Sequence, residues 1–265
     1  MSAWEGNNNL QVIETFTSLG FGGPFALFTL EECRKILAHE LDRTRPPPLH
    51  WWKGRAATDP FYAKLACDKR ILNLLRPMLG NDIVLWGVDV LHRPPNAVHP
   101  WHCDIESCSP EGGFASIWIG LNNTSEASSL NFITRTHKLG KTIQEEASRH
   151  GLRRKDIRRE DALGWAQHLD PSAELIAPDM KDGEALIIDG RLWHSTHNTR
   201  NSGTRTALLL QYAAADRPVR IYDPRSLEWP FTFLSHPLPP LLVVSGSGNS
   251  ALNRLVSFPE AMTAS

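Results

Sequence analysis

Ile83-Val84-Leu85-Trp86-Gly87-Val88-Asp89-Val90-Leu91 decides how the rest of the chain is read, because the hydrophobic period changes here. The run is rich in β-branched and apolar residues and reads as a strand. Upstream, about residues 1–80 are helical in pattern and form a support. Thr29-Leu30-Glu31-Glu32 has the form of a capping box, in which the Thr29 hydroxyl and the Glu32 carboxylate each accept from the other's backbone N–H. Leu30, Cys33, Leu37 and Leu41 then recur at helical spacing until Arg45 and Pro46-Pro47-Pro48 end the element. A second helix starts at Asp59-Pro60, a cap followed by a first-turn proline, and runs towards Gly80, with Asp68 placed to recap it midway. Downstream, strand-like runs recur at 114–121, 130–134, 185–189 and 206–213. Turn-rich joints such as Pro110-Glu111-Gly112-Gly113 and Asn122-Asn123-Thr124-Ser125 separate them. A polar, helix-prone insertion at about 138–178 interrupts the series. The tail, about 223–265, is rich in proline and serine and is expected to pack over the core as irregular structure. Helices in front and short strands behind predict a mainly β fold, a sandwich or jelly roll buttressed by helices, with its core at about 81–222.

The bulk numbers agree. At 265 residues, 41% hydrophobic and 22% charged, the chain can bury one sizeable core, and one domain over 1–265 is expected. A net charge of −1 offers no field to gather nucleic acid or an anionic membrane. No apolar run approaches the ~20 residues that cross a bilayer. The opening Met-Ser-Ala-Trp-Glu-Gly has no signal-peptide pattern, and Met262-Thr263-Ala264-Ser265 is no peroxisomal address. Cys33, Cys67, Cys103 and Cys108 are too few to staple a chain of this size, so free thiols in a reducing cytoplasm are expected. Nine tryptophans suit a packed β core or an apolar pocket.

His102-Cys103-Asp104 carries the chemistry. Imidazole and carboxylate are the donors of an iron(II) facial triad, which leaves three positions open. On a strand, His102 and Asp104 point to one face and Cys103 to the other, which builds two legs of a triad and keeps the thiol out. With 11 histidines and 14 aspartates in 265 residues, chance gives about 0.6 such pairs, so context must decide. The second match, His168-Leu169-Asp170, ends a helix-prone stretch before Pro171 and reads as a helix stop. A third ligand must come from a distant strand. Gly183-Glu184-Ala185-Leu186-Ile187-Ile188-Asp189-Gly190 reads as turn, buried strand and turn, and Arg191-Leu192-Trp193-His194-Ser195-Thr196-His197 follows it. Arg205 comes eleven residues beyond His194 and opens the apolar run Thr206-Ala207-Leu208-Leu209-Leu210. An arginine on a strand entering the core needs an anion. A dicarboxylate co-substrate would supply one through two parallel hydrogen bonds. An internal salt bridge to Asp189 or Glu184 would do so equally.

Trp-His-Cys-Asp at 101–104, Gly-Phe-Ala-Ser-Ile-Trp-Ile-Gly-Leu at 113–121, Leu-Asn-Phe-Ile-Thr-Arg-Thr-His-Lys at 130–138 and Asp-Gly-Arg-Leu-Trp-His-Ser-Thr-His-Asn at 189–198 together resemble the phytanoyl-CoA dioxygenase family over roughly 80–215. The resemblance implies a double-stranded β-helix (cupin-like jelly roll), iron(II) with 2-oxoglutarate and O2, and a small-molecule substrate, with neither nucleic acid nor membrane as partner. It implies His102, Asp104 and His194 as metal ligands, and Arg205 with the Thr196 hydroxyl on the distal carboxylate of 2-oxoglutarate. Residues 101–106 are also similar to ectoine hydroxylases in their Trp-His-x-Asp-x-Glu pattern, but Cys108 stands where those have tryptophan. The related halogenases lack the metal-binding acid, so Asp104 speaks against halogenation.

Further candidates each have a plain structural alternative. Asn131 is a candidate for the co-substrate. Glu106, which shares strand parity with Asp104, Trp118 and His197 are candidates for the substrate. His197, three residues after His194, is read as a pocket-wall residue rather than a ligand. Arg93 reads as a surface residue. Arg153-Arg154-Lys155 with Arg158-Arg159 reads as a solvated helix face, but it lies in the insertion that would cap the pocket, where it could meet a phosphate or carboxylate. The expected activity is hydroxylation of a C–H bond, giving succinate and CO2. The competing readings are a cupin-like metalloenzyme that does not use 2-oxoglutarate and a non-catalytic jelly-roll binding module.

Overall fold

The computed structural model describes residues 3–107, 109–198 and 203–260, so Cys108 and residues 262–265, which entered the expectations above, lie outside the described residues. Among the described residues, ten strands form two antiparallel sheets. Their bounds are β1 Phe21–Ala26, β2 Ile83–Arg93, β3 Val98–His102, β4 Phe114–Asn122, β5 Leu130–Ile133, β6 Leu175–Ile176, β7 Glu184–Asp189, β8 Trp193–His197, β9 Arg205–Ala214 and β10 Leu242–Ser245. The larger sheet runs β1-β7-β4-β9-β2-β10 and the smaller β3-β8-β5-β6. This is the jelly roll that the sequence predicts.

The helices α1 Ala3–Leu19, α2 Leu30–Leu41, α3 Pro60–Ala66 and α4 Lys69–Leu79 buttress the larger sheet. Ile36, Ile71 and Leu75 from them pack with Ile83, Leu85, Val88, Val90, Ile117 and Leu208 of the sheet's outer face. The capping box at Thr29 is formed, and Asp59 and Asp68 cap α3 and α4 through their side chains. In the insertion, α5 Ile143–Arg149 and α6 Arg159–Leu169 cover the outer face of the smaller sheet, burying Trp101, Ile133 and Trp193 with Ala147, Ala162 and Ala166. His168 lies in the last turn of α6 and Asp170 is its C-cap, so this second His-x-Asp pair is the helix stop it resembles.

One bulge in β2 makes the inner face possible. Pairing with β9 slips between Leu85 and Gly87. Ile83 and Leu85 face the helices before the slip, and Val88 and Val90 face them after it. Asp89, Leu91 and Arg93 therefore turn to the interior between the sheets, since each extra residue reverses a strand's parity.

Besides β3, β6 and β8, which lie outside the strand-like runs, β1 and β10 stand where the sequence pattern argues against a strand. β1 contains Gly22, Gly23 and Pro24, which argue against a strand, but it is an edge strand and its pairing with β7 slips between Gly22 and Phe25, so the proline is tolerated. The tail is not wholly irregular, because β10 adds to the edge of β2. Leu241-Leu242-Val243-Val244 carries that strand signal within a polar, proline-rich stretch.

Candidate metal centre

His102 and His194 are directly opposed across β3 and β8, so neighbouring strands deliver both imidazoles to the inner face, with ring centroids 4.1 Å apart. Each ring is oriented the same way. His102 Nδ1–H donates to the Pro100 carbonyl and His194 Nδ1–H to the Leu192 carbonyl, both at 2.8 Å. A carbonyl only accepts, so this fixes the tautomer and turns the Nε2 lone pair of each ring to the cavity, as metal-binding histidines require. Burial, and after it the neighbouring His194, holds His102 well below the usual imidazole range, which keeps that lone pair free of a proton.

Asp104 completes the group. Its Oδ1 lies 3.8 Å from His102 Nε2 and 3.9 Å from His194 Nε2. One ligand atom from each residue can be chosen so that all three lie within 4.8 Å of one another, the spacing of a site for one ion. Strand alternation does not bring Asp104 here, because β3 ends at His102. Its backbone N–H donates instead to the Gly190 carbonyl at 3.1 Å, in the turn after β7. A Cβ at Gly190 would run into the Ser107 hydroxyl, so this close approach needs glycine. Asp104 Oδ2 accepts from Ser116 Oγ at 3.3 Å and Gln211 Nε2 at 3.2 Å, leaving Oδ1 for an ion. Gln211 has room because the β2 bulge leaves a glycine below it: a Cβ at Gly87 would lie 2.9 Å from its Oε1. Neither Gln211 nor Ser116 emerges from the sequence reading. The only signal is a polar side chain inside an apolar strand, which must find a partner.

The cavity holding these groups has a volume of about 210 Å³. Trp118 and Thr196 line it, and Arg205 lies behind them, 0% exposed. Arg205 Nε donates to the Ser128 carbonyl at 3.0 Å and its guanidinium lies 5.1 Å over the Trp118 ring. Its Nη1 and Nη2 have no partner among the described residues, and neither has the Thr196 hydroxyl. The internal salt bridge does not form. Asp189 pairs with Arg191 at 2.7 Å, and Glu184 accepts from the Lys181 backbone at 2.8 Å. Burial, and then the Arg93 cation, brings Arg205 down to about 10. A buried guanidinium with two free nitrogens and a second cation beside it calls for an anion.

The remaining expectations separate. Trp118 does line the cavity, though it stacks on Arg205. Glu106 lines it too, from a short 3-10 turn, Ile105–Ser107, rather than by strand parity, and Lys53 Nζ pairs with it at 2.7 Å. Asn131 and His197 are not in the cavity. They alternate with Leu130 and Thr196, face the other side of the smaller sheet and bond each other at 2.9 Å, in a separate groove with Ser195 and Trp101. Strand period assigns both to that side, and the expected contacts with co-substrate and substrate are corrected accordingly. Arg93 is not a surface residue but lines the cavity, opposite Arg205 in register. Lys53, Trp52 and Tyr222 also line the cavity and come from irregular segments where no periodicity announces them, and Arg154 joins them from a short 3-10 turn of the insertion.

A profile of the phytanoyl-CoA dioxygenase (PhyH) family matches residues 48–207. No curated protein matches the chain in sequence. Among solved structures, the apo form of ThoJ, a non-heme monooxygenase, is similar over 94% of this chain and 89% of its own, at 14% identity and a TM-score of 0.63. Iron-bound HygX from Streptomyces hygroscopicus is similar over 77% of this chain and 86% of its own, at 19% identity and 0.58. The epimerase SnoN, in complex with Fe3+, alpha ketoglutarate and nogalamycin RO, is similar over 81% and 87%, at 17% identity and 0.55. Identities this low speak for a shared fold.

Proposed function

The chain belongs to the phytanoyl-CoA dioxygenase family, and from that premise we propose that it is an iron(II)- and 2-oxoglutarate-dependent oxygenase that hydroxylates a C–H bond of a small molecule. The observation that carries this reading is Arg205, a buried cation with two unpartnered nitrogens in the interior that also holds two imidazoles and a carboxylate. The donor set suits the group: two neutral imidazoles and one carboxylate are the facial triad of non-haem iron(II), with open positions for other ligands. An iron(II) held there would supply oxidation by O2 coupled to 2-oxoglutarate, with one oxygen atom going to the substrate and the other to succinate as CO2 leaves.

The chain's own residues hold and orient. His102, Asp104 and His194 would bind the metal, with Gln211 and Ser116 keeping the Asp104 carboxylate in place. Arg205 and the Thr196 hydroxyl would take the distal carboxylate of 2-oxoglutarate, and Arg93 adds a second positive charge at that end. Trp118, Leu130 and Leu209 wall the cavity and keep water from it. Iron-bound HygX, and SnoN in complex with Fe3+ and alpha ketoglutarate, support the same cofactors. A metalloenzyme without 2-oxoglutarate, or a non-catalytic module, leaves Arg205 buried with no anion. Cys33, Cys67 and Cys103 are thiols rather than disulfides, which fits a reducing cytoplasm.

Adding 2-oxoglutarate to protein loaded anaerobically with iron(II) should raise the weak visible charge-transfer band of a chelated keto acid. Tight iron binding with neither a new band nor a change in affinity on adding 2-oxoglutarate would remove this reading in favour of a metalloenzyme of another kind.

A further inference from the structure

Of the basic cluster in the insertion, Arg153, Lys155, Arg158 and Arg159 are exposed, whereas Arg154 turns inward and lines the metal cavity. Its Nη2 lies 2.8 Å from His99 Nε2. The bond goes to an imidazole, which brings no negative charge. Its Nε is buried and has no partner among the described residues. Glu228 of the tail accepts from the Arg154 backbone N–H at 3.0 Å, and among the described residues no ion pair forms on the guanidinium.

The carboxylates of the cavity wall are already held. Glu106 is held by Lys53 at 2.7 Å, and Asp89 faces Arg55 at 3.8 Å. Asp104 belongs with the metal. Arg205 and Arg93 sit opposite one another in register at the far end of the cavity, where the distal carboxylate of 2-oxoglutarate would lie. With iron(II) and 2-oxoglutarate in place, Arg154 is left as an uncompensated cation at the near end. Burying it without an anion is costly, and a guanidinium fork is shaped for a carboxylate.

The position of Arg154 also says where that anion sits. His99 stacks edge-on against the ligand His102, with ring centroids 4.4 Å apart, so the Arg154 fork lies beside the metal rather than at the mouth. Trp52 and Tyr222, whose rings meet at 6.0 Å, complete the outer wall with apolar surface. We propose that the substrate is a monocarboxylic acid whose carboxylate is gripped by Arg154 next to the metal, with its apolar or ring-bearing part against Trp52 and Tyr222. A carboxylate suits the guanidinium in shape, because its two oxygens meet the planar fork through two parallel hydrogen bonds. The inference rests on the oxygenase reading above, and it makes Arg154 a specificity-determining residue.

The test separates the two readings. The iron(II)–2-oxoglutarate band is recorded first, since its absence counts against the oxygenase alone. Paired small aliphatic and aromatic carboxylic acids and their primary amides are then titrated calorimetrically into the loaded, oxygen-free protein and into the metal-free protein. At least one acid should bind about tenfold or more tighter than its amide. Arg154→Gln should abolish that preference and Arg154→Lys should keep part of it, with 2-oxoglutarate affinity unaltered in both. The proposal is overturned if no acid outbinds its amide, if the preference survives Arg154→Gln, or if a phosphate monoester outbinds every acid.

Discussion

Two histidines three residues apart, His194 and His197, differ in role because they differ in face. His194 points inward with Nδ1 tied to the Leu192 carbonyl, and His197 points outward to Asn131. His194→Ala should therefore abolish iron binding at micromolar metal and all turnover, whereas His197→Ala should keep the metal, as equilibrium dialysis would read. Equal metal loss in both variants would refute the assignment. Arg205 offers a cleaner separation still. Among the described residues its one hydrogen bond goes to the Ser128 carbonyl, and no carboxylate pairs with it. Arg205→Leu should raise the 2-oxoglutarate requirement about thirty-fold or more, the worth of a shielded bidentate contact, with little change in melting temperature. A large fall in stability with unaltered 2-oxoglutarate affinity would mean that the guanidinium holds the fold and not the co-substrate.

Among the elements, α2 shows how one turn is secured by charge. Glu32 accepts from the Thr29 backbone at 2.7 Å and pairs with Arg70 of α4 at 2.8 Å. The Arg70 hydrogen bond, with Thr29 adding to it against the opposing effect of burial, brings Glu32 down to about 2. A carboxylate whose folded value is depressed stabilises the fold fully above its unfolded value, near 4.3, and loses that contribution as pH falls towards the folded one. The contribution of this cap should thus disappear between roughly pH 4.3 and 2, and Arg70→Gln should move the Glu32 titration, followed by carboxyl NMR, back up. A Glu32 that titrates in the ordinary range in the parent protein would disprove the link. The bulge at Gly87 works at the same scale, because one slipped residue turns Asp89 and Arg93 to the cavity and clears the space that Gln211 occupies.

At the scale of the molecule, the protein is layered. Helices lie on one face of the larger sheet, the metal cavity lies between the sheets, and the insertion covers the smaller sheet. The layers carry separate tasks, so stability and chemistry should come apart on mutation. Leu242 of β10 is 1% exposed and packs into the helix-side core, away from the cavity. Leu242→Ala should cost about 2–4 kcal/mol in denaturant unfolding, the usual range for a buried leucine, and leave the iron–2-oxoglutarate band unchanged. Loss of the band in a variant that is still folded would show that the tail strand shapes the cavity. The near end of the cavity, by contrast, joins three distant segments through Trp52, Arg154 and Tyr222, so its variants should alter substrate binding more than stability.

Local periodicity and side-chain chemistry were legible in the order of residues alone. The change of period at residue 83 announces the sheets, the caps at Thr29, Asp59 and Asp68 announce helices, and His102, Asp104, His194 and Arg205 stand out as donors and a cation with no local reason to be there. Which face each side chain serves, and what stands opposite it, follows instead from how the strands pair and the layers pack. Asn131 and His197 fall outside the cavity because their parity is fixed by a pairing between strands far apart in the chain. Asp104 reaches it through a loop bond to Gly190 and not through strand alternation. Gln211, Lys53 and Tyr222 acquire their positions only when separate segments meet. Whether Arg205 answers an internal carboxylate or an incoming one could not be read from spacing, because it depends on Asp189 already being taken by Arg191. Pairing and burial are properties of the folded neighbourhood, and a linear pattern holds no record of distance.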